Sequence, residues 1–130
     1  LASGDNPGEY DVIFRDCTFK GTFGNGGAAV DIGPHVYGNI TFEGCSIDIT
    51  RNGNAVSGID IGSYSGSNGN NSITVNLDNT DINVNAGTGT SGVPVSINTK
   101  DITTLNITGD CTFTYDGVEK TFNTASKTWQ

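Results

Sequence analysis

The sequence predicts an all-β chain wound as a small parallel β-solenoid of about four units, each carrying three short strands. Three observations carry the prediction. Residues 39–49 read Asn-Ile-Thr-Phe-Glu-Gly-Cys-Ser-Ile-Asp-Ile, with apolar positions at Ile40 and Phe42, a two-residue break, then Cys45, Ile47 and Ile49. Period-two alternation on both sides of a tight break describes two strands, each with one buried face. The stretch has imperfect copies along the chain. Finally, 19 Gly, abundant Asn, Thr and Ser, and no Met disfavour helices, and no stretch holds a long apolar period of 3.6.

Taken in order, residues 1–9 are polar and contain Gly and Pro, and read as an N-terminal cap or a loose end. The first copy has Val12 and Phe14, the break Arg15-Asp16, then Cys17 and Phe19. A glycine-rich loop over 21–27 leads to a third strand, Ala29-Val30-Asp31-Ile32-Gly33. The second copy starts at Asn39, and a loop over 51–54 leads to Gly58-Ile59-Asp60-Ile61-Gly62. A polar loop fills 63–71. The third copy has Val75, Leu77, the break Asp78-Asn79, then Thr80, Ile82 and Val84. A Gly/Thr loop over 86–92 precedes Val93, Val95 and Ile97. The fourth copy has Leu105, Ile107, a break of Thr108-Gly109-Asp110, then Cys111, Phe113 and Tyr115. Residues 113–122 alternate around Asp116-Gly117, a hairpin signal. The chain therefore reads as one domain, with units over 10–115 and a C-terminal hairpin cap over 113–130. An open end of stacked strands is a bare edge that invites aggregation, which gives a cap its purpose. Trp129, the only Trp, either packs over that end or belongs to a loose terminus.

Equivalent positions drift together. Phe14, Phe42, Leu77 and Ile107 are 28, 35 and 30 residues apart; Cys17, Cys45, Thr80 and Cys111 are 28, 35 and 31 apart; Val30, Ile59 and Val95 are 29 and 36 apart. The extra residues fall in Gly/Ser/Asn loops, where insertion costs little. None of these short strands buries its apolar face alone, and stacking units at about 4.8 Å pairs each with a neighbour above and below. Composition by itself also allows an antiparallel β-sandwich. The repeated order of three strand types favours the solenoid.

The net charge of −8 opposes binding to nucleic acid or anionic membranes. No apolar run approaches the roughly 18 residues of a membrane span. The opening Leu-Ala-Ser-Gly-Asp-Asn-Pro-Gly reads as a mature or trimmed terminus and leaves the compartment open. Three Cys is an odd number for a disulfide framework, and one His without a Cys-x-x-Cys pair argues against a zinc site. The stacked cysteines, with Thr80, read as an inward column of small, unpaired side chains.

Ile-Thr-Phe-Glu-Gly-Cys-Ser-Ile, followed by Gly-Ile-Asp-Ile-Gly, resembles the coils of the right-handed parallel β-helix superfamily, which includes pectate lyases, polygalacturonases and phage tailspikes. The resemblance covers roughly residues 10–115. It implies three parallel sheets and, in the superfamily's enzymes, a catalytic groove along one of them. It does not specify activity, because one coil serves enzymes, adhesins and stalks alike. Pectate lyases imply a basic residue beside calcium-binding carboxylates, yet the only arginines are Arg15 and Arg51, read here as solvated residues beside turns. Asn79-Thr80-Asp81 resembles a polygalacturonase tripeptide, but Thr80 falls in the inward column and no companion Asp-Asp or His motif follows.

Asp31 and Asp60 occupy the same outward position one unit apart, with Ser96 as the third rung. Stacked carboxylates suit acid–base work on glycosides when about 5–9.5 Å separates them. They also suit a calcium site, with neutral oxygens from Ser96, Asn70 and Asn71, or a plain solvated face. Asp48, Asp81 and Asn83 face outward on the second strand. His35 and Tyr64 fall at equal distances past Ile32 and Ile61, and Tyr37 is nearby; such rings suit sugar stacking or loop anchoring. The sequons at Asn39, Asn70 and Asn106 are expected by chance in so Asn- and Thr-rich a chain.

The expectation is a non-catalytic extracellular or cell-surface domain, a glycan-binding or adhesin-like piece of a larger chain. No residue is assigned a catalytic role. The ligand-binding candidates are Asp31, Asp60, His35, Tyr37 and Tyr64, and the metal candidates are Asp31 and Asp60, with calcium the only cofactor considered. The expected partner is a polysaccharide or cell-surface glycan. Two alternatives stand: a carbohydrate-active enzyme of the polysaccharide lyase or glycoside hydrolase type, and a structural spacer.

Overall fold

The computed structural model describes residues 8–33, 36–62, 72–98 and 101–130. Every regular element among them is a β-strand, and most strands pair in parallel. The first unit supplies β1 (Gly8–Arg15), β2 (Thr18–Phe23) and β3 (Ala28–Ile32). The second supplies β4 (Val36–Glu43), β5 (Ser46–Asn52) and β6 (Ser57–Ile61). The third supplies β7 (Ile73–Asp78), β8 (Asp81–Thr88) and β9 (Val95–Ile97). The fourth supplies β10 (Thr103–Thr108) and β11 (Phe113–Tyr115). Three two-residue strands close the chain: β12 (Val118–Glu119), β13 (Phe122–Asn123) and β14 (Thr128–Trp129).

Like strands pair with like. One sheet runs β1-β4-β7-β10, a second runs β2-β5-β8-β11 with β12 on its end, and a third runs β3-β6-β9. The register is the one the residue counts give. Phe14 opposes Phe42, Phe42 opposes Leu77, and Leu77 opposes Ile107. Val30 opposes Ile59, which opposes Val95. Phe42, Cys45, Ile47, Ile59 and Ile61 are all buried, Phe42 completely. The Phe14 ring stacks on Phe42 at 5.1 Å, with Phe19 edge-on to Phe14 at 5.7 Å. Burial of each such side chain contributes about 1.5–3 kcal/mol.

The breaks between first and second strands share one backbone device. Asp16, Gly44, Asn79 and Gly109 all adopt positive φ, 51°, 64°, 47° and 68°. Gly, Asn and Asp are the residues that visit this region at least cost. The turns also continue the ladder between units: the N–H groups of Asp16, Gly44 and Asn79 donate to the carbonyls of Glu43, Asp78 and Thr108. Side chains alternate with gaps along this stack. A Cβ on Gly44 would lie 2.6 Å from the Asp16 carboxylate, and one on Gly109 would collide with the Asn79 amide.

Two expectations are corrected. β1 begins at Gly8, inside the stretch read as a cap, because Gly8, Glu9 and Tyr10 continue the register against Val36, Tyr37 and Gly38. Arg51 is not a solvated loop residue. β5 runs through it, and the residue is only 7% exposed.

The chain's last described residues fold back in short antiparallel strands. β11 and β12 pair antiparallel around Asp116-Gly117, both at positive φ, as a twist-matched hairpin turn requires. Trp129 packs over the end. Its indole N–H donates to the Val95 carbonyl at 2.8 Å, and its ring meets Phe113 at 5.0 Å and Phe122 at 5.1 Å. The Tyr115 hydroxyl ties the same end inward, within reach of the carbonyls of Ser91 (2.7 Å) and Val56 (3.0 Å).

Candidate functional site

The third sheet aligns the acidic rungs as the sequence spacing predicts: Asp31 opposes Asp60, and Asp60 opposes Ser96. Their environments differ. Asp31 on the edge strand β3 is exposed, whereas Asp60 on the central strand β6 is buried. Asn98 donates its amide N–H to Asp60 Oδ1 at 2.8 Å. Burial raises the Asp60 carboxyl pKa above the ordinary range; hydrogen bonds from Ser96 and Asn98 oppose the rise, and the charge of Asp31 adds to it. The rungs therefore do not form one uniformly solvated ladder.

Beside this ladder, a groove of about 310 Å³ follows strand β9. Val93, Val95, Ser96 and Ile97 line it together with Thr128 and Trp129 of the last strand and the neighbouring Lys127. The third rung of the ladder thus shares a groove with the only indole of the chain. Sequence spacing placed Ser96 in the ladder but gave no sign of Trp129 beside it, because the chain's last strand returns to the third sheet only through the cap.

Tyr37 stands on β4, in the neighbouring sheet, past the turn in which the Val36 N–H donates to the Gly33 carbonyl. It is half-buried, and its ring packs against the core. His35, Tyr64, Asn70 and Asn71 lie outside the described residues. Among the described residues no three His, Cys, Asp or Glu side chains gather as a metal site. Asp31 and Asp60 supply two carboxylates, against the six to eight oxygens that calcium takes.

The Cys/Thr column has a role that apolar character alone did not reveal. The Cys45 thiol reaches the Phe14 carbonyl at 3.3 Å, the Thr80 hydroxyl reaches that of Phe42 at 3.1 Å, and the Cys111 thiol that of Leu77 at 3.7 Å. Each also reaches a carbonyl of its own break, as Thr80 does with Asp78 at 3.0 Å. In return the N–H of Cys45 donates to Thr80 Oγ1, and the N–H of Thr80 to Cys111 Sγ, both at 3.3 Å. The corner needs one short donor-acceptor on Cβ, which both Cys and Thr provide. All three cysteines are free thiols. Burial raises the pKa of the Cys45 thiol, which keeps it protonated and unreactive.

The tripeptide 79–81 is likewise used in holding the stack. Asn79 forms the left-handed turn, Thr80 is fully buried in the corner, and Asp81 Oδ1 accepts from both the N–H and the hydroxyl of Thr112, at 2.9 and 2.5 Å. Other outward side chains bond along the ladder in the same way: Asn106 to Asn76 at 2.9 Å, Asn76 to Thr41 at 3.2 Å, Asn85 to Asp48 at 2.7 Å, and Thr114 to Asn83 at 2.7 Å. Of the two arginines, exposed Arg15 pairs with Glu43 at 2.9 Å. Arg51 reaches the carbonyls of Thr88 and Gly89 and grips Asp116 with two bonds, 2.9 and 2.7 Å. That carboxylate raises the guanidinium pKa further. Arg51 thereby fastens the cap hairpin to the loop of the third unit. Its place in the 51–54 stretch, bounded by Asn and Gly, disguised it as a loop residue.

No family model matches the chain, no curated protein is significantly similar to it, and no solved structure matches it.

Proposed function

We propose that the chain is a non-catalytic, extracellular or cell-surface module, a right-handed parallel β-helix that binds a polysaccharide or cell-surface glycan. Three parallel sheets with the same unit order support the winding, and a strand that crosses to a parallel neighbour does so almost always in the right-handed sense. One observation carries the binding reading: the β9 groove joins an aromatic platform, Trp129, to the hydroxyl of Ser96, itself coupled to the Asp60–Asn98 pair. Sugars are recognised by this combination of a ring against a C–H face and fixed carboxylate, amide and hydroxyl groups against their hydroxyls. At about 310 Å³ the groove is at the small end of ligand sites and suits one or two sugar residues.

A glycan array with and without calcium identifies the ligand class, and titration of each hit against Trp129 fluorescence locates it. Binding should shift the emission of this single Trp, and Ser96→Ala should weaken the response about tenfold. An array without hits leaves the spacer reading in possession. A hit that leaves Trp129 emission unchanged moves the site off the β9 groove.

The enzyme reading keeps one supporting observation. Asp60 is raised in pKa beside an exposed carboxylate one strand away, and pairs whose environments differ in this way serve as acid and partner in glycoside hydrolysis. Release of reducing ends from an array hit, abolished by Asp60→Asn, would overturn the non-catalytic reading.

A further inference from the structure

We infer that the β9 groove recognises an acetamido group, so that its ligands are glycans carrying 2-acetamido sugars; the inference rests on the glycan reading above and narrows it. The first and second sheets take a strand from each of the four units, whereas the third holds only β3, β6 and β9. β9 bonds β6 on one edge, and among the described residues no strand pairs with its other edge. Trp129 stands on that side, through its bond to the Val95 carbonyl.

Backbone alternation shows what the edge offers. The Pro94 carbonyl accepts from the Ile59 N–H, and the Asn98 N–H donates to the Ile61 carbonyl. Even-numbered positions along β9 thus bond to β6, and the N–H and C=O groups of Val95 and Ile97 point away from it. The indole of Trp129 takes the Val95 carbonyl. The N–H and C=O of Ile97 meet no partner among the described residues. A peptide strand that adds to an edge needs a row of such groups. Here the indole interrupts the row and leaves one donor and one acceptor at Ile97, which suits a ligand with a single amide.

The surroundings suit the rest of an acetamido sugar. Val93 and Ile97 are half-buried aliphatic side chains that line the groove beside Trp129. Sugar hydroxyls gain nothing from such walls, whereas an acetyl methyl loses its contact with water there. A trans secondary amide presents its carbonyl and its N–H in opposite directions. One end bonds Ile97, and the other is left for the hydroxyl of Ser96 or Thr128, both of which line the same groove. The C–H face of the ring is left for the indole.

The test titrates the full chain with the methyl glycosides of N-acetylglucosamine and N-acetylgalactosamine, and with those of glucose and galactose, against Trp129 emission. At least one acetamido glycoside should bind about tenfold more tightly than its hydroxyl parent, the worth of one hydrogen bond and a buried methyl. Val93→Ser should reduce that preference while leaving the weaker binding of the parent sugar in place. Equal binding of acetamido and hydroxyl sugars, or a preference indifferent to Val93→Ser, overturns the acetamido assignment and leaves the glycan reading standing. Array hits that shift Trp129 emission and lack an acetamido group do the same. Silence from every glycan overturns both. Tighter binding of N-acetyl-tetraalanine amide than of any sugar gives the edge to a peptide strand and also overturns both.

Discussion

Replacing Thr80 separates hydrogen bonding from packing in the corner column. Thr80→Val keeps shape and volume but removes the hydroxyl. The buried N–H of Cys45 then loses its acceptor, and the carbonyls of Phe42 and Asp78 lose a donor. A stranded buried donor costs about 1–3 kcal/mol and the lost bond about 0.5–1.5 kcal/mol, so Thr80→Val should cost roughly 2–4 kcal/mol. For a chain of 130 residues this lowers Tm by roughly 7–15 °C. Thr80→Cys should cost under about 1 kcal/mol, because a thiol reaches equivalent carbonyls at Cys45 and Cys111. Thermal melts in reducing buffer, followed by circular dichroism, measure both. A Val variant as stable as the parent, or a Cys variant as damaged as the Val one, would refute the reading of the column as a hydrogen-bonded corner.

Four further outcomes follow from the same structure. Phe42→Ala should destabilise the fold by about 3–5 kcal/mol in urea titration, because Phe42 is fully buried beneath the Phe14 ring. Alkylation of the native protein should modify Cys45 more slowly than Cys17 and Cys111, and denaturation without reductant should expose all three thiols to label. Arg51→Lys keeps the charge but cannot grip Asp116 with two bonds, so limited proteolysis should cut sooner at the Asp116-Gly117 hairpin. Because the native pKa of Asp60 lies above its unfolded value, the native state holds the extra proton, and stability should fall as pH rises through the window between the two. Asp60→Asn should flatten that fall in Tm against pH; a parent curve that rises relative to the variant there would contradict the sign.

The parallel pairing and the register were legible because a stack of short strands repeats its constraints. Phe14, Phe42, Leu77 and Ile107 must each fill one level of the same column, so their spacing records the register even where loops differ in length. The cap hairpin was legible for a local reason, since Asp-Gly at positive φ admits few conformations. Arg51 and Trp129 were not legible in the same way. Arg51 meets Asp116 across 65 residues, and Trp129 meets Val95 across 34, through contacts that break the repeat. Periodicity reports only what recurs. The candidate site divides on the same line: the Asp31–Asp60–Ser96 rungs recur and were read from spacing, while the groove that Trp129 makes with them occurs once.

This division says where function can be written on such a fold. Inward positions are fixed by column packing, and the corner admits only Cys or Thr in this chain. Many outward polar groups on the first and second sheets bond to their neighbours one unit away, as Asn106, Asn76 and Thr41 do. These regular rungs stabilise the stack and present similar chemistry at every level, which distinguishes no particular partner. Specific recognition requires a rung that departs from its column. Two places show this: Ile13, exposed in a column of Thr41, Asn76 and Asn106, and Ser96 beneath Asp60 where the ladder reaches the Trp129 groove. They lie on different sheets, in the first and the third unit, so a change at one leaves the rungs around the other untouched.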